Sequence, residues 1–266
     1  MHSVESDSFQ TAMLKEKVAI VTGAGSGIGK ATAEYFAQQG ARVVVAEWNA
    51  ESGQRTVATI LSAGGQAIFC QTDVSKAEQM ESTVASAVKE FGRLDILVNN
   101  AAIQILAKLT ETTEEDWDSI HSVNLKGVFL GCKYAIPAMK KTGGGAIVNI
   151  ASVLGLVADP DLAAYCAAKG GVISLTRVAA LTYGVDSIRV NCICPGDVET
   201  PLVVDYFNKD PDPAKLRAEI YSKYALRRIA APTEVAKVAA FLASSQSSFM
   251  TGSAVVMDGG LTIKCY

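Results

Sequence analysis

The sequence predicts an α/β protein: a single doubly wound domain in which a seven-stranded parallel sheet carries helices on both faces. Three observations lead there. Short β-type runs alternate with longer helical candidates along the whole chain, the order that builds a parallel sheet through right-handed crossovers. Most of these runs are continuously apolar rather than alternating, as strands covered on both faces require. The first of them, Val18–Thr22, leads directly into a glycine cluster and then a helical stretch, the strand–turn–helix order of a phosphate site.

The glycine cluster reads T-G-x-x-x-G-x-G, with Gly23, Gly27 and Gly29 at its fixed places and Ser26 and Ile28 between them. A strict G-x-G-x-x-G fails: counted from Gly23 its last place is Ile28, and from Gly25 it is Lys30. Glycine lets the chain turn tightly with no Cβ in the way of a ligand, and the helix expected over Ile28–Gln39 turns its free N–H groups and positive dipole end toward an anion. Arg42–Glu47 is the second strand, a Val-rich run ending in a carboxylate, and Ala50–Ala63 is its returning helix. Ala67–Gln71 pairs with Lys76–Phe91 in the same way. Leu94–Asn99 is followed by one long helix, Glu114–Lys140, where Glu111, Glu114, Glu115, Asp116 and Asp118 complement the dipole. Ala146–Ala151 precedes the helix Ala163–Tyr183, Ile188–Cys194 precedes the helix Thr233–Ala243, and Ala254–Met257 closes the sheet.

One stretch breaks this rhythm. Glu199–Arg228 holds Pro201, Pro211 and Pro213 among charges, with a short helical candidate at Ala214–Tyr224. Excursions of this length inside a domain are more often functional than filler, and a lid over a substrate at about 199–228 is the expectation. Residues 1–13 read as a frayed extension of a domain spanning 14–266.

Composition narrows the function classes. At 49% hydrophobic and 19% charged, the 266 residues supply a substantial core and too little charge for disorder. A net charge of −3 leaves no electrostatic footprint for nucleic acid. No apolar run approaches the roughly 20 residues of a membrane span, and the start, with Glu5 and Asp7, does not read as a secretory signal. Six cysteines with no C-x-x-C pair, beside two histidines, make a zinc site improbable, and no metal is expected. Cys70, Cys192 and Cys194 sit in or beside strand-like runs as small hydrophobes, which suits a reduced, cytoplasmic protein.

Open α/β sheets bind ligands at the carboxyl ends of their strands. The polar residues expected there are Glu47, Asp73, Asn99 with Asn100, Ser152, and the turn Pro195-Gly196. Each alone reads equally as a cap or turn residue; five on one sheet edge are harder to dismiss. Of the eight tyrosines only Tyr165 has a lysine four residues on, Lys169, so the two share a helix face. A nearby ammonium favours the phenolate, and a tyrosine so tuned exchanges a proton with an alcohol or carbonyl near neutral pH. Tyr-x-x-x-Lys is weak as a bare motif, but Ser152, thirteen positions earlier at a strand end, puts a third polar group in the same predicted crevice. Trp117 and His121 read as packing residues and Cys166 as structural.

At this point the chain resembles the short-chain dehydrogenase/reductase family in its shorter form of about 250 residues, with a Rossmann-type fold. The resemblance runs from about Lys15 to Thr262. It rests on Thr22–Gly29, Asp73-Val74, Asn99-Asn100-Ala101-Ala102 (the family usually has glycine at the last place), Val123-Asn124, Ser152, Tyr165 with Lys169, Pro195-Gly196 with Thr200, and Met257-Asp258-Gly259-Gly260. It implies Tyr165 as general acid/base, with Lys169 holding the nicotinamide ribose and keeping the tyrosine acidic. Ser152 would bond the substrate oxygen, and Asn124 would hold a water that relays protons from Lys169. It places Asp73 and Val74 at the adenine, Asn99 near its ribose, Ala101 and Val198 along the cofactor and Thr200 at the carboxamide.

The resemblance makes NAD the expected cofactor, on Glu47. That residue ends its strand eighteen positions beyond Gly29, close to where an acidic side chain meets the adenosine ribose in dinucleotide folds. A carboxylate there accepts from ribose hydroxyls and repels the extra phosphate of NADP. The expected reaction interconverts a secondary alcohol and a ketone. Two rivals stand beside it: an NADPH-dependent 3-oxoacyl reductase, for which Lys30 near the glycine turn is the argument, and a non-catalytic dinucleotide-binding protein. The substrate pocket should draw on Gln104, Val153, Leu154, Asp159, Asp197, Leu202 and the lid. The small residues of Ala163–Tyr183 allow close helix approach, and the resemblance adds a homotetramer with 222 symmetry.

Overall fold

The computed structural model describes residues 12–263. Seven strands form one parallel sheet: β1 (Val18–Thr22), β2 (Arg42–Glu47), β3 (Gln66–Gln71), β4 (Ile96–Asn99), β5 (Gly145–Ile150), β6 (Ile188–Pro195) and β7 (Ala254–Met257), in the order β3-β2-β1-β4-β5-β6-β7. The order reverses between β1 and β4, so a crevice opens above their carboxyl ends. The register brings Thr22 level with Ala46 and Asn99 level with Asn149, which sets the glycine turn, Glu47 and the residues after β4 and β5 along one edge.

The helices are α1 (Gly27–Gln38), α2 (Ala50–Ser62), α3 (Ala77–Phe91), α4 (Glu114–His121), α5 (Gly127–Lys141), α6 (Ala163–Tyr183), α7 (Pro201–Asn208), α8 (Pro213–Lys223) and α9 (Pro232–Ala243). The continuous apolar runs have the predicted cause. Along β1, Val18 and Ile20 face a core shared with α3, α5 and α6, while Ala19 and Val21 face a second core with α1, α2 and α9. At the opposite edge the buried Asp95 carboxylate accepts from the Val18 amide and takes both bonds of the Arg93 guanidinium; β4 begins two residues later than expected, at Ile96 instead of Leu94.

Three expectations are corrected. Glu114–Lys140 is not one helix: Ser122–Lys126 is a π-helical turn between α4 and α5. One extra residue in that turn rotates Asn124 out of the helical register and into the interior, where it is fully buried. The stretch 199–228 holds two helices instead of one, because Pro201 and Pro213, which look like breakers, occupy the first turns of α7 and α8, where a missing N–H is harmless. Of the extension 1–13, residues 1–11 lie outside the described residues, but Met13 donates its amide to Gln39 and packs against the core.

Candidate active site

The glycine turn is built by what crowds it. Gly23 has φ +65° and donates its amide to Ala46 O at 2.8 Å; a Cβ there would lie 2.8 Å from Ala101 Cα. A Cβ on Gly29 would sit 2.1 Å from Gly23 O. Asn100 locks this arrangement by donating its side-chain amide to the carbonyls of Thr22 and Gly23, at 2.9 and 3.2 Å. The Thr22 hydroxyl receives the amides of Asn100 and Ala101, so the strap after β4 is tied to the turn after β1. Ser26 precedes α1 with no side-chain cap, leaving the first-turn N–H groups of Gly27, Ile28 and Gly29 free for an anion. A Cβ on Gly27 would come 3.0 Å from Thr200 Cγ2, which brings the start of α7 against the turn.

Glu47 is drawn in rather than left at a solvated strand end. Its Oε2 accepts from the Gly25 amide at 2.9 Å and its Oε1 from Asn49 N at 3.1 Å. Lys30 lies along α1, ion-paired with Glu34 at 3.8 Å. Asp73 accepts from the amide and hydroxyl of Ser75, at 2.9 and 2.7 Å, and Val74 packs with Met80 and Leu130. Asn99, expected near the ribose, turns its side chain inward. Its side chain is 3% exposed, donates to Asn149 Oδ1 at 2.8 Å and lies against Cys132. Asn149 in turn donates to Thr176 on α6. This buried chain, which ties β4, β5 and α6 together behind the site, was missed; a polar residue inside the apolar run of β5 was the available signal.

The candidate catalytic groups converge from three elements. Ser152 follows β5, 8% exposed, its hydroxyl accepting from Leu154 N at 3.1 Å. Tyr165 and Lys169 project from α6, with Lys169 Nζ 5.5 Å from the tyrosine ring centroid and donating to Ile150 O at 2.7 Å. Asn124 spends both ends of its side chain on Ile103, receiving its amide and donating to its carbonyl at 2.8 Å each. The strap after β4 is thereby pinned to the π turn.

Electrostatics here differs from the expectation. Burial pushes the Tyr165 hydroxyl up to about 12, only partly opposed by Ser152, with the charge of Asp197 adding to the rise. Burial also pushes the Lys169 ammonium down to about 8. Desolvation of both groups outweighs the attraction that the Tyr-x-x-x-Lys spacing suggested.

On the substrate side, Val153 is buried, Leu154 half-buried, and Gln104 and Leu202 are exposed. Asp159 accepts from Asp161 N at 2.9 Å, and Asp197 is bonded to Tyr224. The parallel bridge between Ala107 and Leu162 joins the segments that follow β4 and β5. Pro195 ends β6 and Gly196 donates to Met257 O. The α7–α8 segment has a core of its own, Phe207, Tyr224 and Ile229. Trp117 and His121 stack at 4.2 Å on an exposed face of α4 instead of packing inward. Among the described residues no group of three His, Cys, Asp or Glu is placed to hold a metal, and no helix is long and apolar enough to cross a membrane.

Residues 23–262 match the family model described as enoyl-(acyl carrier protein) reductase. The chain belongs to the short-chain dehydrogenase/reductase family. It is 43% identical to a cyclohexanol dehydrogenase of Acinetobacter sp. over 93% of this chain and 96% of that protein. It is 40% identical to a 3-oxoacyl-(acyl-carrier-protein) reductase of Thermotoga maritima over 94% and 99% of the two chains. A crystal structure from Burkholderia xenovorans assigned to the same family superposes with a TM-score of 0.91 at 36% identity, covering 96% of this chain and 99% of that one. As a short-chain dehydrogenase/reductase it is an oxidoreductase, and the fold implies a nicotinamide dinucleotide. The residues present fit that group: the turn after β1 admits no Cβ at Gly23 or Gly29, and the first turn of α1 offers uncapped N–H groups.

Proposed function

We propose that the protein is an NAD(H)-dependent oxidoreductase that interconverts a secondary alcohol and a ketone, with Tyr165 as general acid/base. The observation that carries this reading is the convergence of Ser152, Tyr165 and Lys169 beside an intact glycine turn. A bound nicotinamide would accept or deliver the hydride. In the oxidation direction the Tyr165 phenolate takes the alcohol proton and becomes the hydroxyl, and Ser152 donates to the oxygen as charge develops on it. Lys169 holds the ribose hydroxyls, and Asn124 holds a water that links Lys169 to solvent as a proton relay. Gly23, Gly27 and Gly29 with Ser26 and Ile28 take the pyrophosphate. Asp73, Val74 and Ala101 border the adenosine, and Pro195, Gly196, Val198 and Thr200 border the nicotinamide.

Glu47 supports NAD over NADP. Its carboxylate, held beneath Gly25, meets ribose hydroxyls as an acceptor and an extra phosphate as a like charge. Lys30, the argument for NADP, is engaged with Glu34, and Trp48 after Glu47 brings no positive charge. The similarity to a 3-oxoacyl reductase keeps a second reading in view, NADPH-dependent reduction of 3-oxoacyl thioesters. A panel of secondary alcohols, ketones and a 3-oxoacyl thioester, followed at the reduced-nicotinamide absorbance with NAD(H) and NADP(H) in turn, separates the two. Turnover of alcohols with NAD supports the proposal; turnover confined to the thioester with NADPH overturns it.

The α7–α8 segment serves in this reading as the substrate lid of one continuous 14–266 domain. A homotetramer is also proposed. Val178, Leu181 and Val185, on and just after α6, and Phe129 on α5 are exposed apolar side chains on the helices expected to pair. We place the enzyme in the cytoplasm on the strength of its five described cysteines, all of them free.

A further inference from the structure

The residue after the Pro195-Gly196 turn is held more firmly than its exposure suggests. Asp197 donates its amide to the Tyr224 hydroxyl at 2.8 Å, and that hydroxyl donates back to Asp197 Oδ2 at 2.7 Å. The carbonyl of Asp197 accepts from Ala230 N at 3.1 Å, and its neighbour Val198 forms a parallel bridge with Ala230. Tyr224 is itself tightly packed: it is 2% exposed, packed with Phe207 and Ile229, and a Cβ on Gly196 would lie 3.1 Å from its ring. Amide, carbonyl and one carboxylate oxygen are therefore all committed, while Oδ1 has no partner among the described residues and the residue is exposed. This leaves a single oriented acceptor at the carboxyl end of β6, next to the end of β5 that carries Ser152.

We propose that Asp197, positioned by Tyr224, selects the substrate: its free carboxylate oxygen accepts a hydrogen bond from a second hydroxyl group, so the preferred substrates are diols and the corresponding hydroxyketones. This rests on the alcohol–ketone reading of the site. A carboxylate only accepts, so its ligand must donate. A cationic donor would share the crevice with the Lys169 ammonium, and like charges there repel; a neutral hydroxyl meets no such opposition. A 3-oxoacyl thioester offers only carbonyl acceptors near the reacting carbon, which would leave this oxygen facing another acceptor. The charge of Asp197 is felt at the Tyr165 hydroxyl, which places the two groups within electrostatic reach of each other.

The test compares kcat/KM for cyclohexanol with those for 1,2-, 1,3- and 1,4-cyclohexanediol and for 2-aminocyclohexanol, using the full-length enzyme and the nicotinamide cofactor it turns over. The wild type should favour at least one diol over cyclohexanol by tenfold or more. Asp197→Ala should bring that ratio to within about threefold of unity. Tyr224→Phe, which keeps the ring but frees the carboxylate, should lower the ratio mainly by raising KM for the diol. Melting curves and NADH binding establish that each variant is folded; should Asp197→Ala not fold, Tyr224→Phe decides. A diol preference unchanged within twofold in the variants overturns the assignment, as does a wild type that favours cyclohexanol or the amino alcohol. A wild type that oxidises none of these alcohols with either cofactor overturns the underlying alcohol–ketone reading, and this assignment with it.

Discussion

Replacing Lys169 by Met should stabilise the protein while removing its activity. The side chain is 2% exposed, and its ammonium has one hydrogen-bond partner, Ile150 O, and no carboxylate within ion-pair distance among the described residues. Burial pushes it from 10.5 down to about 8. The sign follows from which state holds the proton. The unfolded chain keeps Lys169 charged up to its ordinary value, whereas the folded protein resists the charge, so below about 8 the folded state bears the whole penalty. That penalty is relieved as pH rises from about 8 toward 10.5. At roughly 1.4 kcal/mol per pH unit, the shift amounts to about 3 kcal/mol at pH 7. Methionine keeps the length and apolar stem but forfeits the bond to Ile150 O, worth about 1 kcal/mol. The balance is a gain of about 2 kcal/mol, or a melting temperature raised by about 4–8 °C for a chain of this size. Calorimetry of the cofactor-free protein at pH 7 and pH 10 reads both terms. The variant should melt higher at pH 7, and its advantage should vanish by pH 10. A variant that melts below the wild type at pH 7, or whose advantage is the same at both pH values, refutes the argument.

Three further outcomes are expected. With Tyr165 pushed up to about 12 by burial, the phenolate is the minor form at neutral pH. Log kcat/KM for alcohol oxidation should therefore climb by nearly one per pH unit from pH 6 to 8, while ketone reduction, which uses the protonated form, stays level. An oxidation profile that is flat while a substrate deuterium isotope effect is fully expressed would contradict the role of Tyr165. Glu47→Ala should reduce an NAD preference of at least about tenfold toward parity, mainly by weakening NAD; initial rates with both cofactors measure it, and a preference that survives the substitution excludes Glu47 as its source. Sedimentation at micromolar protein should give a tetramer, and a stable monomer would reject the assembly.

The sheet was legible because its signals are local: both faces of a buried parallel strand demand apolar side chains, and β1 and β2 show them as continuous runs. The site was legible where a motif is contiguous, as at Gly23–Gly29 or Tyr165 and Lys169. What escaped depended on packing. The π turn at Ser122–Lys126 leaves no mark in a stretch whose composition suits an ordinary helix. Pro201 and Pro213 read as breakers until their place in the first helical turn is known. The inward turn of Asn99 toward Asn149, and the clasp between Asp197 and Tyr224, join residues 50 and 27 positions apart, and pairs at such separations carry no spacing signature. The direction of the Tyr165 shift was misjudged because spacing reports neighbours and not burial.

The central claim is that the hydroxyl of Tyr165 carries the proton of a hydride transfer. The most direct measurement is turnover of Tyr165→Phe with the best alcohol of the panel, alongside the NADH dissociation constant of the same variant. The variant should keep NADH binding within about threefold of wild type and lose turnover by a factor of about 100 to 10,000, the range in which positioned acid/base groups act. Turnover within a few-fold of wild type, with NADH still bound, would contradict the account.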